Sequence, residues 1–195
     1  MPSATPVRAS PDKAEAILAA ALDLFVDRGF HGTAVPAVAN RAGVGAGTIY
    51  RYFVNKEALV NAVYQKWKTA VARFVFEGHV PTAPARDQFH EFVSRIAEFA
   101  LTHPKAFAFL ELHNHQSYLD ADSRAAEQRV IDIATGLITN LQEKRLVKPI
   151  DPALVMGIVY WALVGVIRNA WEGKLTLDDA CLAHTEQCLW EAIRY

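Results

Sequence analysis

Between Arg28 and Lys68 the chain gathers donors suited to a polyanion. Arg28, Arg41, Arg51, Lys56, Lys66 and Lys68 stand against one acid, Glu57. This stretch carries +5, whereas the whole chain of 195 residues carries −1 and the remainder therefore −6. Inside the window, Gly45-Ala46-Gly47-Thr48 is followed by Tyr50, Arg51, Tyr52 and Lys56. Two phenols, a guanidinium and an ammonium around a slim, small-residue turn can donate to phosphate oxygens, which fixes position, and Arg51 can also pair bidentately with a guanine edge.

Other chemistries find less support. His103, His113 and His115 invite a metal, but His113 and His115 are two apart and point to different sides of a helix, and no carboxylate or thiol completes a tetrahedral set, so no metal is expected. Glu111 has no nucleophile, oxyanion donors or cofactor loop near it in sequence; the chain reads as no enzyme, and no cofactor is expected. Gly45-x-Gly47 is not a nucleotide loop, because no strand precedes it and no Lys-Ser/Thr follows. Cys181 and Cys188 lie two turns apart, too far for a bridge within one helix, and read as buried reduced thiols.

The elements that must carry these residues are helical almost throughout. Residues 1–10 read as a disordered arm rich in Pro, Ser and Ala, with Ser10-Pro11 as cap and first turn of a helix whose stripe is Ile17, Ala21, Leu24 and Phe25. A short helix follows Thr33, with Pro36 in its first turn; the chain turns at Gly43, a third short helix runs over about 46–53, and Asn55 caps a fourth. Past the Gly78 to Pro84 break come helices of about 85–102, 104–118 and 123–145, the last with Val130, Ile133, Leu137 and Leu141 inward. Asp151-Pro152 opens an apolar helix to Trp171, and Thr176-x-x-Asp179 is a capping box for a last helix over about 178–194. The fold class is all-α, about nine helices. Two short helices joined by a glycine turn match a helix-turn-helix, whose second helix enters a major groove about 12 Å wide.

These residues resemble a known family. Thr33 to Phe53, with Arg41-Ala42-Gly43-Val44-Gly45-Ala46-Gly47-Thr48-Ile49-Tyr50-Arg51-Tyr52-Phe53 at its centre, followed by Asn55-Lys56-Glu57-Ala58-Leu59, is similar to the DNA-binding domain of tetracycline-repressor-type (TetR-family) transcriptional regulators. The resemblance covers roughly residues 11–71, leaving 72–195 for ligand binding and dimerisation. It implies that Thr33 sits near a phosphate, that Ala46, Gly47, Thr48 and Arg51 face base edges or adjacent backbone, and that Tyr50, Tyr52 and Lys56 bind phosphates. Many members carry a threonine where Ala34 stands, and a serine cap and a lysine or glutamine where Gly45 and Ala46 stand, so this recognition helix is poor in polar readers. Arg41 reads as a solvated or salt-bridged helix residue rather than a base reader.

Aromatic residues crowd the middle helices. Phe89, Phe92, Phe99, Phe107, Leu110, His113, Asn114, Tyr118, Tyr160 and Trp161 together suit a pocket with apolar walls and a few polar groups, and the resemblance implies that it binds a small effector. Ala153 to Ile167 is apolar on every side but shorter than the roughly 20 residues that span a bilayer, which favours burial against the core and a second subunit over membrane insertion. Helices of about 152–172 and 178–194, with Gly157 and Gly165 for close approach, would form a homodimer interface. The sequence thus reads as a cytoplasmic, dimeric, effector-responsive DNA-binding regulator acting on a palindromic double-stranded operator, more often a repressor; the alternative is a helical small-molecule-binding protein or enzyme without DNA binding.

Overall fold

The structure, a computed structural model, describes residues 11–195 apart from Gln116, so the expected arm and the Ser10 cap lie outside the described residues. The described residues form nine helices: α1 (Pro11–Gly32), α2 (Val35–Arg41), α3 (Ala46–Tyr52), α4 (Lys56–Phe76), α5 (Ala85–Thr102), α6 (Pro104–Leu112), α7 (Ala121–Glu143), α8 (Pro152–Trp171) and α9 (Asp179–Ile193). They divide into two compact units, one of residues 11–67 with Lys105–Arg124 and one of Lys68–Pro104 with Ala125–Tyr195. The expected boundary near residue 71 falls within α4, and residues 105–124, assigned from the sequence to the second part, cluster with the first.

In the first unit α1 buries Ile17, Ala21, Leu24 and Phe25, which is the stripe its period predicts. Gly29 leaves helical geometry at φ +68°, a conformation open to glycine, and kinks the helix before Thr33. Ile49, Leu59, Val60, Val63 and Tyr64 complete this core, with Phe107 and Phe109 from α6; the Phe25 and Phe109 rings stack at 6.2 Å. Helix α6 ends at Leu112, short of the expected 118. The reason is His115, whose buried ring turns back so that Nε2–H donates to the Phe109 carbonyl, while Nδ1 lies 2.7 Å from the Tyr118 hydroxyl, which donates to it. Burial pushes the Tyr118 hydroxyl up to about 12.

In the second unit α5, α8 and α9 pack on one another. Val155, Val159, Leu163 and Ile167 recur every four residues along α8 and are buried, each contributing roughly 1.5–3 kcal/mol by removal from water. Leu137 and Leu141 of α7 line the cavity as expected, joined by Ala134 and Ile138; Ile133, expected inward, is 44% exposed, and Ala134 takes the inward place one turn before Leu137 and Ile138. Asp151 caps α8 through Ala153 N at 2.8 Å. The last helix is capped by Asp178, which accepts from Cys181 N at 2.8 Å, and not by the Thr176 box: Asp178 is the residue with extended φ/ψ three positions before that donor. Glu186 of α9 is buried and is held by Arg86 and by His90 Nδ1 at 2.7 Å, both from α5. Cys188 is exposed and Cys181 partly so, against the expectation of buried thiols.

Candidate nucleic-acid interface and internal cavity

The α2–α3 turn is built by a Schellman closure of α2. Gly43, at φ +66°, donates to Asn40 O at 3.1 Å, and Val44 N reaches back to Ala39 O at 3.0 Å. A side chain there would be strained, so glycine is required for the chain to reverse into α3. Buried Val38, Ala39 and Ile49 lock the two short helices together, and the opposite side of α3 is left outward. Ala46 and Gly47 are exposed, Thr48 half-buried, Tyr50 53% exposed and Arg51 exposed. A methyl group added at Gly47 would meet nothing within 4 Å, so the leading turn of α3 is thin and open. Tyr52 is half-buried beside Phe53, ring centroids 6.4 Å apart.

Two of the eight expected contact residues are committed elsewhere. Thr33 is buried, its hydroxyl donating within 2.8 Å of Gly29 O and 3.0 Å of Leu24 O. It braces the α1–α2 corner, and its side chain is not open to a phosphate. Lys56 Nζ donates to Phe30 O at 2.9 Å and Thr33 O at 3.1 Å and lies 4.2 Å above the Phe30 ring. Two of its three donors and its ring contact therefore hold α4 to that same corner. Ala34 stands at the α2 N-cap without a side-chain bond.

The charge map changes too. Arg41, exposed, pairs with Asp23 of α1 at 2.5 Å, the salt-bridged one of its two expected roles, and Lys66 pairs with Glu15. Asp23 also accepts from Lys105 at 2.6 Å; that hydrogen bond, and the one from Arg41, hold its carboxyl below the usual range against the opposing effect of burial. Counted over the described residues of the first unit, eight basic and eight acidic residues leave no net charge. The +5 of the sequence window is thus largely offset by acids of α1 and of 105–124, and the α3 surface matters more than the total.

Residues that the sequence did not single out fix α4 in this unit. Asn61, 3% exposed, donates to Tyr118 O and Glu57 O, both at 2.8 Å, and its Oδ1 accepts from Asp120 N at 2.9 Å and Ser123 Oγ at 2.7 Å. An asparagine on the apolar stripe of a helix is the signal that could have pointed to it. Phe30 stacks on Tyr118 at 4.4 Å.

The second unit holds a partly open cavity of ≈100 Å³. Its walls are Val75 and Phe76 of α4, Phe89 and Phe92 of α5, Leu137 and Leu141 of α7, Met156, Val159 and Tyr160 of α8, and Trp190 and Ile193 of α9, with His79, Gln88 and Glu91 as polar members. Of the ten expected pocket residues it gathers Phe89, Phe92 and Tyr160. Phe99 lies outside this lining, in core contact with Phe74 at 5.6 Å. Trp161 is 58% exposed. Phe107 and Leu110 are buried in the core of the first unit, where His113, Asn114 and Tyr118 also belong. Burial lowers the basicity of His113. On α8, Leu154 at 54% exposure, Ile158 and Trp161 form an outward stripe uncovered by the described residues.

Residues 17–63 match bacterial regulatory proteins of the tetR family, and residues 67–195 match the tetracyclin repressor-like C-terminal domain. The HTH-type transcriptional regulator RutR of Escherichia coli is 30% identical over 161 residues, 80% of this chain and 73% of that protein. The uncharacterized HTH-type regulator YhgD of Bacillus subtilis is 28% identical over 84% of this chain and 86% of its own length. Among solved structures, a TetR-family protein from Vibrio parahaemolyticus aligns with a TM-score of 0.79 at 29% identity, covering 94% of this chain and 99% of that one. With a glycine-closed helix-turn-helix presenting Arg51 and Tyr50 outward and both halves of the chain matched, the protein belongs to the TetR family of DNA-binding transcriptional regulators.

Proposed function

We propose that the protein is a cytoplasmic repressor that binds a palindromic operator as a homodimer and is released by a small, largely apolar effector. The observation that carries this reading is the open face of α3, where Ala46 and Gly47 leave room for backbone to approach DNA and Arg51 stands exposed. Arg51 reads a base, bidentately where that base is guanine; Tyr50 and Tyr52 hold phosphates, and Thr48 contacts backbone or a base edge. Thr33 and Lys56 act from behind, by fixing the corner on which α3 is mounted.

The exposed stripe Leu154, Ile158 and Trp161 supports dimerisation through α8 and α9, since an apolar face of that size is normally covered. Gly157 and Gly165, with open space where a side chain would stand, allow helices to approach closely. A two-fold axis then sets the recognition helices about 34–36 Å apart, one turn of DNA or a multiple of it. The apolar cavity supports the effector, and α4, whose residues belong to both units, is the continuous element that would carry its effect to the DNA-binding end.

Gel shift on the DNA upstream of the protein's own gene, over a salt series, tests the assignment: retardation that weakens with salt is expected, and none at low salt overturns it. Arg51→Ala should relax preference at one operator position by about 1–3 kcal/mol, and equal weakening on every sequence would remove its reading role. Effector and operator must weaken each other's binding by the same factor; effector affinity unchanged by saturating operator overturns the release mechanism.

A further inference from the structure

One wall of the cavity is held less firmly than the others. Within the second unit α5 buries seven residues and α8 five, whereas among the described residues none from 127 to 146, which takes in most of α7, is buried. The inward side chains of α7, Ala134, Leu137, Ile138 and Leu141, are all half-buried and all line the cavity. Segments with few buried apolar contacts are the ones that open locally at low free-energy cost.

The backbone is weak at the same place. Gly136 stands in the middle of this stretch, and glycine inside a helix has more conformational freedom to lose than alanine. Thr135 Oγ1 donates to Ile131 O at 2.8 Å and Thr139 Oγ1 to Thr135 O at 2.9 Å, and hydroxyls that bond back along a helix in this way bend it. Beyond that turn the end of α7 is fastened, with Gln142 Nε2 donating to Lys148 O at 2.8 Å and Ile150 O at 2.7 Å. A helix tied at its end, soft at Gly136 and facing a space there has an identifiable place to bend.

We propose that the middle of α7, hinged at Gly136, is the moving wall of the cavity, bowing outward to admit a guest and closing over it. The inference rests on the reading of this cavity as the effector site and adds how the effector enters. Guest size is then set by how far α7 yields and not by the ≈100 Å³ of the resting space.

Two thiols on α8 test it, in a chain that also carries Cys181→Ser and Cys188→Ser. Val159→Cys and Val164→Cys are the same small change on the same helix at similar exposure, 5% and 4%, but of the two only Val159 lines the cavity. With N-ethylmaleimide under native conditions Val159→Cys should react at least about tenfold faster than Val164→Cys, since opening of α7 bares the first and only wider unfolding the second. A methyl group at Gly136 meets nothing within 4 Å, so Gly136→Ala stiffens α7 without a clash and should slow Val159→Cys about twofold to fivefold. Hydrogen exchange of the unsubstituted chain should find the amides of 134–141 less protected than those of 155–167. Equal reaction of the two thiols, Val159→Cys labelling indifferent to Gly136→Ala, or α7 amides as protected as those of α8 overturns the inference. Operator affinity before and after labelling of Val159→Cys tests the effector reading separately. Gating as expected with affinity unchanged by the adduct leaves the hinge standing and removes that reading; equal reaction of the thiols with an adduct that releases the operator removes the hinge alone.

Discussion

The two units hold themselves together by different means. In the first, polar atoms define the geometry: Thr33 and Lys56 on the carbonyls of the α1–α2 corner, Asn61 with four partners, Asp23 between Arg41 and Lys105, His115 between Phe109 and Tyr118. In the second, carbon surrounds a hole, and the principal buried polar attachment is Glu186 with Arg86 and His90. Hydrogen bonds are directional and costly to break when buried, so the unit that presents α3 is restricted to one arrangement. Apolar contacts are non-directional, and a wall of Phe, Met and Leu side chains can repack around a guest. Fixed geometry suits the reading of base edges, and adaptability suits a small-molecule sensor.

That contrast is broken most directly at Asn61. Asn61→Leu, close in volume, strands donors and acceptors on Glu57, Tyr118, Asp120 and Ser123 and should lower unfolding free energy in urea by about 2–4 kcal/mol. A loss below about 1 kcal/mol would mean that the network is ornamental. Lys56→Met keeps the apolar stem and removes the ammonium; about 1.5–3 kcal/mol should be lost in the same measurement, with DNA affinity falling on all sequences alike. Unchanged stability with weaker DNA binding would return Lys56 to the phosphate role that its type first suggested.

The second unit should tolerate more. Ala134→Leu fills part of the cavity and should alter stability by no more than about 1 kcal/mol in either direction by thermal unfolding. The smallest expected effect is at Asp23. Its folded carboxyl titrates below the unfolded value of 3.8, so its contribution is present above that pH and is lost as pH falls through the folded value. The stability gap between the native protein and Asp23→Asn should therefore be constant between pH 5 and 7 and close below about 4; a gap that widens on acidification would reverse the sign of the Asp23 interaction.

Much of this was legible in sequence where local rules suffice. Gly43 had to follow α2 because only a left-handed residue closes that turn, and Asn55 and Asp151 cap helices because their oxygens reach donors two or three residues on. Failures came where partners are distant. Lys56 bonds carbonyls 23 and 26 residues away, and no local pattern distinguishes such a lysine from one awaiting phosphate. Charge totals misled for the same reason, since Asp23 and Glu15 lie outside the basic window yet pair with its members. Counting aromatics could not separate Phe107, a core residue of one unit, from Phe92, a cavity wall of the other.

The outward stripe of α8 has a consequence for dosage. If a second copy covers Leu154, Ile158 and Trp161, part of the free energy that keeps each chain folded is supplied by mass action and falls as the protein is diluted. A cell that makes few copies would then hold a less stable protein as well as fewer occupied operators. Repression would rise more steeply than in proportion to expression, and the midpoint of thermal unfolding should climb with concentration.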